Sequence, residues 1–321
     1  MVLSNENEFV VQDTTFSSLH NAVVVLTGAS SGIGRETALA LHQHGAHVVF
    51  GDVDANGAAE TLSMAEQQQN QLGGSVEYIQ CDVSLYDDVY RLFSSALDKH
   101  GHVDHVVASA AIFNREKWID PALSIEEVAK PNTKASKILD VDLVGTANTS
   151  RIAGPFLMAN RKGDTEKKTL TLLGSVASMQ QVGEAVMYQA AKHGVLGLLR
   201  AMRTPFYRHR IQVNCVCPDI TLTPMAAPFM DSFKKNRAWT QTSEDVARVI
   251  LGLLDSDIHG KSFYLGAGRA WEFEDGLSEA MPHWLGSEGS RHFKWNLECL
   301  AKVSPVPFSS HTFSNCFCQD H

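Results

Sequence analysis

The chain has 321 residues, of which 44% are hydrophobic and 20% charged, and its formal net charge is −9. This length suits one large α/β domain or two small ones, and the composition is that of a folded globular protein. The acidic balance argues against nucleic acid as a partner, and the lack of an apolar run of ~18 residues argues against a membrane span.

The cysteines and histidines predict neither a disulfide framework nor a metal centre. Six scattered cysteines are too few for a disulfide-stapled fold, and the fourteen histidines form no His-Glu-x-x-His motif. A metal or redox role for Cys316 and Cys318, in the polar tail, is a minor alternative. The N-terminus lacks the charged and apolar segments of a secretory signal, so we expect a cytoplasmic protein with reduced thiols.

The first half of the chain alternates apolar runs with amphipathic stretches. It follows a polar, aperiodic segment, 1–20, which we expect to lie on the surface or to be partly disordered. Short valine-rich runs predict buried strands, and apolar residues at helical spacing predict helices. This βαβ alternation implies a parallel sheet with right-handed crossovers and helices on both faces. The predicted strands are 22–26, 46–50, 76–80 and 104–108, and the predicted helices begin at 32, 55 and 86.

The second half continues this alternation after an irregular insertion at 113–132, which we place near the mouth of a site. The prediction is an α/β, doubly wound Rossmann-type fold with a seven-stranded parallel sheet. A single domain spans 21–285, between an N-terminal extension, 1–20, and a C-terminal tail, 286–321. The remaining predicted elements are helices over 133–160, 186–203 and 243–254, the last capped by Ser243, and strands over 170–173, 211–216 and 262–265.

A glycine-rich turn separates the first predicted strand from the first helix. A strand, a glycine turn and a helix N-terminus form an anion site, because free N–H groups and the positive end of the helix dipole face the ligand. Glycine also lets the backbone approach a phosphate closely. Glycines alone would fit an ordinary tight turn, but the full stretch Thr27-Gly-Ala-Ser-Ser-Gly-Ile-Gly34 is far more specific.

Three further residues form a candidate acid–base group. Tyr188 and Lys192 stand at i and i+4 on the predicted helix 186–203, so the phenol and the ammonium share one face. A nearby cation favours the phenolate, which suits a tyrosine that moves a proton to or from a carbonyl or alcohol oxygen. Ser175 follows the fifth predicted strand, where its hydroxyl can reach the same oxygen. The Tyr-x-x-x-Lys pattern alone is more often a pair of surface residues. Its occurrence together with Ser175 and the glycine loop favours a catalytic site instead.

Together these motifs resemble the short-chain dehydrogenase/reductase family, over residues 22 to about 270. The resemblance implies that Ser175 orients the substrate, that Tyr188 is the acid/base, and that Lys192 holds the nicotinamide ribose and assists Tyr188. It also implies cofactor contacts from the following residues: Gly28, Ser30, Ser31, Gly32, Ile33, Gly34, Asp52, Asp82, Val83, Ser109, Ala110, Tyr188, Lys192, Pro218, Ile220 and Thr223.

Asp52, at the end of the second predicted strand, bears on the choice of cofactor. A carboxylate there can accept hydrogen bonds from both hydroxyls of the adenosine ribose, and it would repel a 2′-phosphate. NADP-preferring relatives often carry arginine in the glycine loop, where this chain has Ser31. Both features favour NAD. The alternative is that Asp52 only begins a turn with Asp54.

Three positions depart from the family pattern. Residues 108–111 read Ala-Ser-Ala-Ala instead of Asn-Asn-Ala-Gly, which removes an amide that braces the strands, and Asp219 follows Pro218 where the family has glycine. Asp142 replaces the family's asparagine, which usually supports a water that links the lysine to solvent. We count Asp142 among the catalytic candidates. Its carboxylate could accept the same hydrogen bonds as the asparagine or pair with Lys192. The alternative is that Asp142 faces solvent through a local shift of the helix.

The leading functional prediction is an oxidoreductase that transfers a hydride between NAD and a bulky, aromatic or polycyclic secondary alcohol or ketone. The alternatives are a non-redox NAD-binding cyclase or isomerase, for which Asp142 is the only support, and a non-catalytic NAD-sensing protein. The apolar side chains expected near the nicotinamide, each as easily part of the core, are Phe113, Trp118, Met179, Met187, Met225, Phe229 and Met230.

Two C-terminal stretches, 268–271 and 281–286, resemble fungal members of the family that act in secondary metabolism. Hydroxyaverantin dehydrogenase and 15-hydroxyprostaglandin dehydrogenase are the nearest named likenesses. Since the family commonly pairs its two long helices, here 133–160 and 186–208, the resemblance also implies a homodimer or homotetramer.

Overall fold

The valine-rich runs form the centre of the protein, a sheet of eight strands. The computed structural model describes residues 7–11, 16–68, 70–115, 118, 123–160, 166–183 and 185–303. The strands of the large sheet are β1 (Val23–Thr27), β2 (His47–Asp52), β3 (Ser75–Gln80), β4 (His105–Ala108), β5 (Thr169–Leu173), β6 (Gln212–Pro218), β9 (Ser262–Gly266) and β10 (Arg269–Glu272). A separate parallel pair consists of β7 (Thr221–Leu222) and β8 (Gln241–Thr242).

The strand order is β10-β9-β6-β5-β4-β1-β2-β3, and the seven strands from β9 to β3 are parallel. β1 lies between β2 and β4, with Val24 opposite Val48 on one side and His105 on the other. The order of the strands along the chain reverses between β1 and β4. In such sheets a ligand binds beyond the carboxyl ends of the strands at this point.

The eighth strand is an addition to the predicted seven. β10 follows β9 after the two-residue turn Ala267-Gly268, in which both residues have positive φ, 50° and 76°. A two-residue connection with positive φ at both positions joins antiparallel neighbours, as in a type I′ hairpin. The predicted parallel sheet is therefore confirmed and extended by one hairpin strand at its edge.

Helices cover both faces, as predicted. On one side α1 packs with α2 and α9, and on the other α3 and α7 pack with α6. The predicted helix 133–160 is helical to Met158, but its middle part, Leu139–Gly145, is a wider π-helix. The helices are α1 (Gly32–Gln43), α2 (Ala55–Gln67), α3 (Tyr86–His100), α4 (Ile125–Val128), α5 (Thr133–Ile138), α6 (Thr146–Met158), α7 (Val186–Arg208), α8 (Met230–Lys235), α9 (Ser243–Leu254), α10 (Glu274–Glu279) and α11 (Met281–Val303).

The N-terminal segment is not a surface extension where the structure describes it. Phe9, Val11, Phe16 and Leu19 are buried in the hydrophobic core. The Phe9 ring lies 4.9 Å from that of Phe263, and the Phe9 N–H donates to the Ala270 carbonyl of β10 at 2.8 Å. The surface prediction for 1–20 was wrong for these residues, because a few isolated apolar side chains in a polar stretch form no periodic pattern.

The cap of α9 lies one residue earlier than predicted. The hydroxyl of Thr242, not of Ser243, accepts the N–H of Asp245 at 3.2 Å, and the Asp245 carboxylate accepts the Thr242 N–H at 2.9 Å. This reciprocal pair is a capping box, which satisfies two N–H groups that a helix N-terminus leaves free.

The chain divides into two compact units, residues 1–271 and 272–321. The second contains α10 and α11, with a break inside α11 at Gly286, where φ is 69°. The tail predicted from 286 is therefore helical up to Val303, and Cys316 and Cys318 lie outside the described residues. Among the described helices, none is both long and apolar enough to cross a membrane.

Candidate active site

A cleft of about 760 Å³ lies at the carboxyl ends of the parallel strands, at the reversal between β1 and β4. This volume is within the usual range for small-molecule sites. All but two of the predicted site residues line it, the exceptions being Ser30 and Asp142. Those that line it are Gly28, Ser31, Gly32, Ile33, Gly34, Asp52, Asp82, Val83, Ser109, Ala110, Ser175, Tyr188, Lys192, Pro218, Ile220 and Thr223.

The glycine loop joins β1 to the N-terminus of α1, as predicted. Gly28 has a φ of +78°, and a Cβ added there would lie 2.5 Å from the Ala110 Cα. A Cβ at Gly34 would collide with the Gly28 carbonyl. Only glycine fits both positions, so the backbone N–H groups at the start of α1 face the cleft without side chains in front of them.

Asp52 is fixed at the end of β2 by backbone donors. Its carboxylate accepts the N–H of Ser30 at 2.9 Å and the N–H of Asp54 at 3.0 Å. The turn with Asp54 that we considered as an alternative therefore exists, yet Asp52 still lines the cleft. The Ser30 hydroxyl donates to the Asp54 carbonyl at 2.8 Å, so Ser30 braces this corner instead of facing a ligand.

Ser109 restores part of the brace that the missing asparagine would supply. Its hydroxyl donates to the Thr27 carbonyl at 2.5 Å, which ties β4 to the end of β1. The Ala110 N–H also points to the Thr27 hydroxyl, at 3.4 Å. The expected loss of bracing is thus only partial, since a serine hydroxyl replaces the amide.

Ser175, Tyr188 and Lys192 line the same cleft. Ser175 caps a 3₁₀ turn after β5, where its Oγ accepts the Ala177 N–H at 3.2 Å. Tyr188 lies in the first turn of α7, and the Lys192 Nζ lies 5.5 Å from the centre of the Tyr188 ring. The i, i+4 arrangement predicted for the phenol and the ammonium is present.

Asp142 is completely buried and faces Lys192, which contradicts the solvent-facing alternative. One carboxylate oxygen, Oδ1, accepts the Ile112 N–H at 2.8 Å, and the other lies 3.5 Å from the Lys192 Nζ. That second distance is an ion pair rather than a strong hydrogen bond. The Lys192 Nζ also donates to the Leu173 carbonyl at 3.1 Å.

Lys192 and Asp142 are a buried pair of opposite charge. Burial lowers the pKa of Lys192, and the neighbouring groups, Asp142 first among them, raise it, so the pKa lies above its ordinary value. Burial also raises the pKa of Asp142 above its ordinary value, an effect that Lys192 and the Ile112 N–H oppose. Each partner thus favours the charged form of the other.

The loop after β6 folds back over the glycine loop. Thr223 lies against Gly32, since a Cβ on that glycine would be 3.3 Å from the Thr223 methyl group. Asp219 accepts the Ile220 N–H at 2.9 Å and the Tyr264 hydroxyl at 2.8 Å. Burial, with this hydrogen bond, raises the pKa of Tyr264 to about 12. Asp219 thus holds in place a loop that the family's glycine would leave free.

The substrate end of the cleft is aromatic. The Phe113 ring lies edge-on to Tyr188, with ring centres 5.0 Å apart, and 5.6 Å from the ring of Phe229. Among the apolar residues we predicted there, Phe113, Met225 and Phe229 line the cleft. The prediction was wrong for four others, which do not line the cleft: Trp118, Met179, Met187 and Met230. A sequence pattern can place a residue near a pocket, but it cannot tell the pocket wall from neighbouring structure.

Several lining residues carried no sequence signal, among them Arg115, Gln180, Gln181, Val182 and Phe233. All but Phe233, which lies in the short helix α8, come from connecting segments, and neither motif nor periodicity marks any of them. No group of metal-ligating side chains occurs in the part of the chain that the structure describes.

The residues present fit a nicotinamide dinucleotide. A glycine cradle at a helix N-terminus suits a diphosphate, a fixed carboxylate at the end of β2 suits ribose hydroxyls, and the buried Lys192 can reach a second ribose. All three groups line the same cleft.

Comparisons with known proteins agree with this geometry. The family model described as short chain dehydrogenase matches residues 22–232. (+)-Borneol dehydrogenase 1 from Salvia officinalis is 29% identical over 263 residues, which cover 78% of this chain and 94% of the relative. The short-chain dehydrogenase/reductase ascJ from Acremonium egyptiacum is 28% identical over 270 residues, 83% of this chain and 86% of the relative.

The fold is also shared with solved structures. The crystal structure of levodione reductase matches with a TM-score of 0.65 and 20% identity, covering 78% of this chain and 97% of that one. The glycine loop, the Ser175, Tyr188 and Lys192 group, the parallel sheet and the family match all agree. The chain belongs to the short-chain dehydrogenase family.

Proposed function

We propose that this protein is an NAD-dependent oxidoreductase that interconverts bulky, apolar secondary alcohols and the corresponding ketones. The observation that carries the proposal is the common cleft, in which Ser175, Tyr188 and Lys192 lie opposite the glycine loop. The bound nicotinamide would supply or accept the hydride, and the protein supplies orientation and proton transfer.

The roles of the side chains follow from their surroundings. The Ser175 hydroxyl orients the reacting oxygen, and Tyr188 takes the proton from the alcohol or returns it to the ketone. The charge on Lys192 stabilises negative charge that develops at the reaction centre, and Asp142 holds that ammonium in place at 3.5 Å. Phe113, at 5.0 Å from Tyr188, excludes water from the same side.

The substrate class is the first point to test. An aromatic wall favours an apolar ring system, and one relative is named for borneol, a bicyclic secondary alcohol. We expect higher kcat/KM for polycyclic or aryl secondary alcohols than for ethanol or small sugars, measured by NADH absorbance. The opposite ranking would contradict this substrate class.

The cofactor preference is a second prediction. Asp52 would repel a 2′-phosphate, so kcat/KM should be severalfold higher with NAD than with NADP. Asp52→Asn keeps the size of the side chain and removes its charge, and should narrow the difference. Asp54→Asn, at a position that caps α2 rather than lining the cleft, is the matched control. A wild-type preference for NADP would contradict the assignment.

The same assay separates the alternative functions. A non-redox cyclase or isomerase, or an NAD-sensing protein, would bind NAD without forming NADH with any alcohol of the panel. The intact group of Ser175, Tyr188 and Lys192 favours the redox reaction. A role in secondary metabolism and a cytoplasmic location belong to the proposal as well, the former supported by the names of the relatives.

The oligomeric state is a third prediction. Because members of this family commonly pair their long helices, we expect a homodimer or a homotetramer. Light scattering coupled to size exclusion should give a multiple of the chain mass of 35.1 kDa. A particle of one chain mass at assay concentration would contradict the prediction.

A further inference from the structure

The substrate end of the cleft contains a cation that the proposed reaction does not use. Arg115 lines the cleft, and its guanidinium carbon lies 4.3 Å from the centre of the Phe229 ring. Contact with the face of an aromatic ring attracts a guanidinium and keeps its plane oriented. Among the described residues, no carboxylate pairs with Arg115, so its N–H donors are available to a ligand.

Contacts between rings connect this cation to the reacting centre. The Phe229 ring, which the Arg115 guanidinium contacts, lies 5.6 Å from the Phe113 ring between centres. The Phe113 ring in turn lies 5.0 Å from that of Tyr188. Two aromatic rings thus separate the guanidinium from the phenol. A ligand that reaches both must have an apolar body against the rings and a polar group at each end.

The charges along the cleft are segregated. Asp52 and Asp82 line the part that would receive the adenosine. The Asp219 carboxylate already accepts hydrogen bonds from the Ile220 N–H and the Tyr264 hydroxyl. Arg115 stands with the apolar residues instead. In a chain with a net charge of −9, an exposed cation set against an aromatic ring at the mouth of the cleft distinguishes anionic from neutral ligands at that spot.

We propose that Arg115 binds a carboxylate on the substrate, at the end of the molecule remote from the reacting carbon. The substrate class is then a hydroxy acid or keto acid with an apolar, cyclic body. Arginine suits this role because its planar fork can donate two parallel hydrogen bonds to a carboxylate. The inference rests on the proposed function, since it concerns the substrate of the same site.

Lys137 provides a matched comparison. It is the other exposed cation that lines the cleft among the described residues, and the structure shows no ring contact or ion pair for it. Any general attraction of anions by the cleft should depend on Lys137 and Arg115 alike. A specific carboxylate site should depend on Arg115 alone.

The test uses a pair of substrates that differ only in charge, 4′-(1-hydroxyethyl)biphenyl-4-carboxylate and the corresponding carboxamide. Each is assayed for oxidation with NAD. Its binding is measured by calorimetry in the presence of NADH, which cannot accept a hydride from the alcohol, so the measurement involves no turnover. The proteins are the wild type, Arg115→Met, Arg115→Lys and Lys137→Met. Charged hydrogen bonds of this type correspond to roughly tenfold to a hundredfold in affinity.

We expect the wild type to favour the carboxylate over the amide at least about tenfold, through KM and Kd rather than kcat. Arg115→Met should abolish that preference while changing the amide's constants less than about threefold, Arg115→Lys should keep part of it, and Lys137→Met should keep all of it. Equal affinities in the wild type, or a preference that survives in Arg115→Met, would overturn the carboxylate site.

The two proposals fail in different ways. If the amide is oxidised without a preference for the acid, the site at Arg115 is wrong and the dehydrogenase function stands. If neither compound is oxidised, the function is in question, and calorimetry still decides whether Arg115 selects the anion. A preference for the carboxylate that is lost in Lys137→Met but kept in Arg115→Met would show that Lys137 binds the carboxylate. That result would overturn the inference.

Discussion

Replacement of Tyr188 by phenylalanine should lower kcat at least about a hundredfold, with NAD binding nearly unchanged. Phenylalanine keeps the ring that packs edge-on against Phe113 at 5.0 Å, so the pocket wall should survive. The change removes only the hydroxyl that exchanges a proton with the alcohol oxygen. Turnover is followed by NADH absorbance, and binding by the fluorescence of NADH in the complex.

The same helix offers a control. Tyr207 is also on α7 but lies outside the cleft, with its ring 5.2 Å from that of His259. Tyr207→Phe should therefore retain native turnover. Near-native kcat in Tyr188→Phe would show that the Tyr188 hydroxyl does not transfer the proton, and it would contradict the proposed mechanism. Loss of NADH binding in that variant would indicate damage to the cofactor site instead.

The elements that could be predicted from sequence are those with strong local signals. The strand Val23–Thr27 is buried throughout and apolar up to Leu26, and glycine is required by sterics at Gly28 and Gly34. Helical spacing places Tyr188 and Lys192 on one face, and their combination with Ser175 and the glycine loop identifies them as a site. In each case the residue type and its neighbours along the chain carry the information.

The rest depends on contacts between distant segments. The burial of Phe9 and Phe16 depends on packing that no local pattern encodes. The hydrogen bond from Ser109 to Thr27 compensates for a missing asparagine, and sequence indicated only the loss. The π-helix at 139–145 changes which side chains of that helix point inward, and helical periodicity does not predict it.

Arg115 illustrates the same limit at the substrate end. It lies in an insertion that we could place near the mouth of a site, but its position over Phe229 requires two loops to meet. The aromatic wall was predicted in part, through Phe113 and Phe229. The cation against it was not, because a single arginine in an irregular segment is ordinarily a solvated surface residue.

Exchange of Asp142 for asparagine should leave the enzyme active and move the alkaline-rising limb of the oxidation rate to lower pH. The amide oxygen can still accept the Ile112 N–H, now at 2.8 Å from the carboxylate. The negative charge 3.5 Å from Lys192 disappears, however. The positive charge of Lys192 then acts on the reaction centre without that counter-charge, so removal of the proton from the alcohol should begin at a lower pH.

Two further variants define what this shift means. Asp140→Asn, an exposed position in the same π-helix, should leave the profile unchanged. Asp142→Leu leaves the buried ammonium of Lys192 without a counter-charge, so it should lower the free energy of unfolding by about 3–5 kcal/mol, measured by denaturant titration. Asp142→Asn should cost less than Asp142→Leu, because its amide oxygen still accepts the buried Ile112 N–H, which leucine would leave without a partner.

The direction of the pH shift is the decisive observation, because the two partners act on Tyr188 with opposite signs. Burial alone would lower the pKa of Lys192, and Asp142 raises it. If the lysine needs that carboxylate to stay protonated, Asp142→Asn discharges it, and the limb moves to higher pH. A downward shift means that Lys192 keeps its proton through the Leu173 carbonyl, 3.1 Å away, and that Asp142 mainly weakens its effect on the phenol. Superimposable profiles for kcat/KM would show that neither effect reaches Tyr188, and complete loss of activity would make Asp142 essential to the proton route.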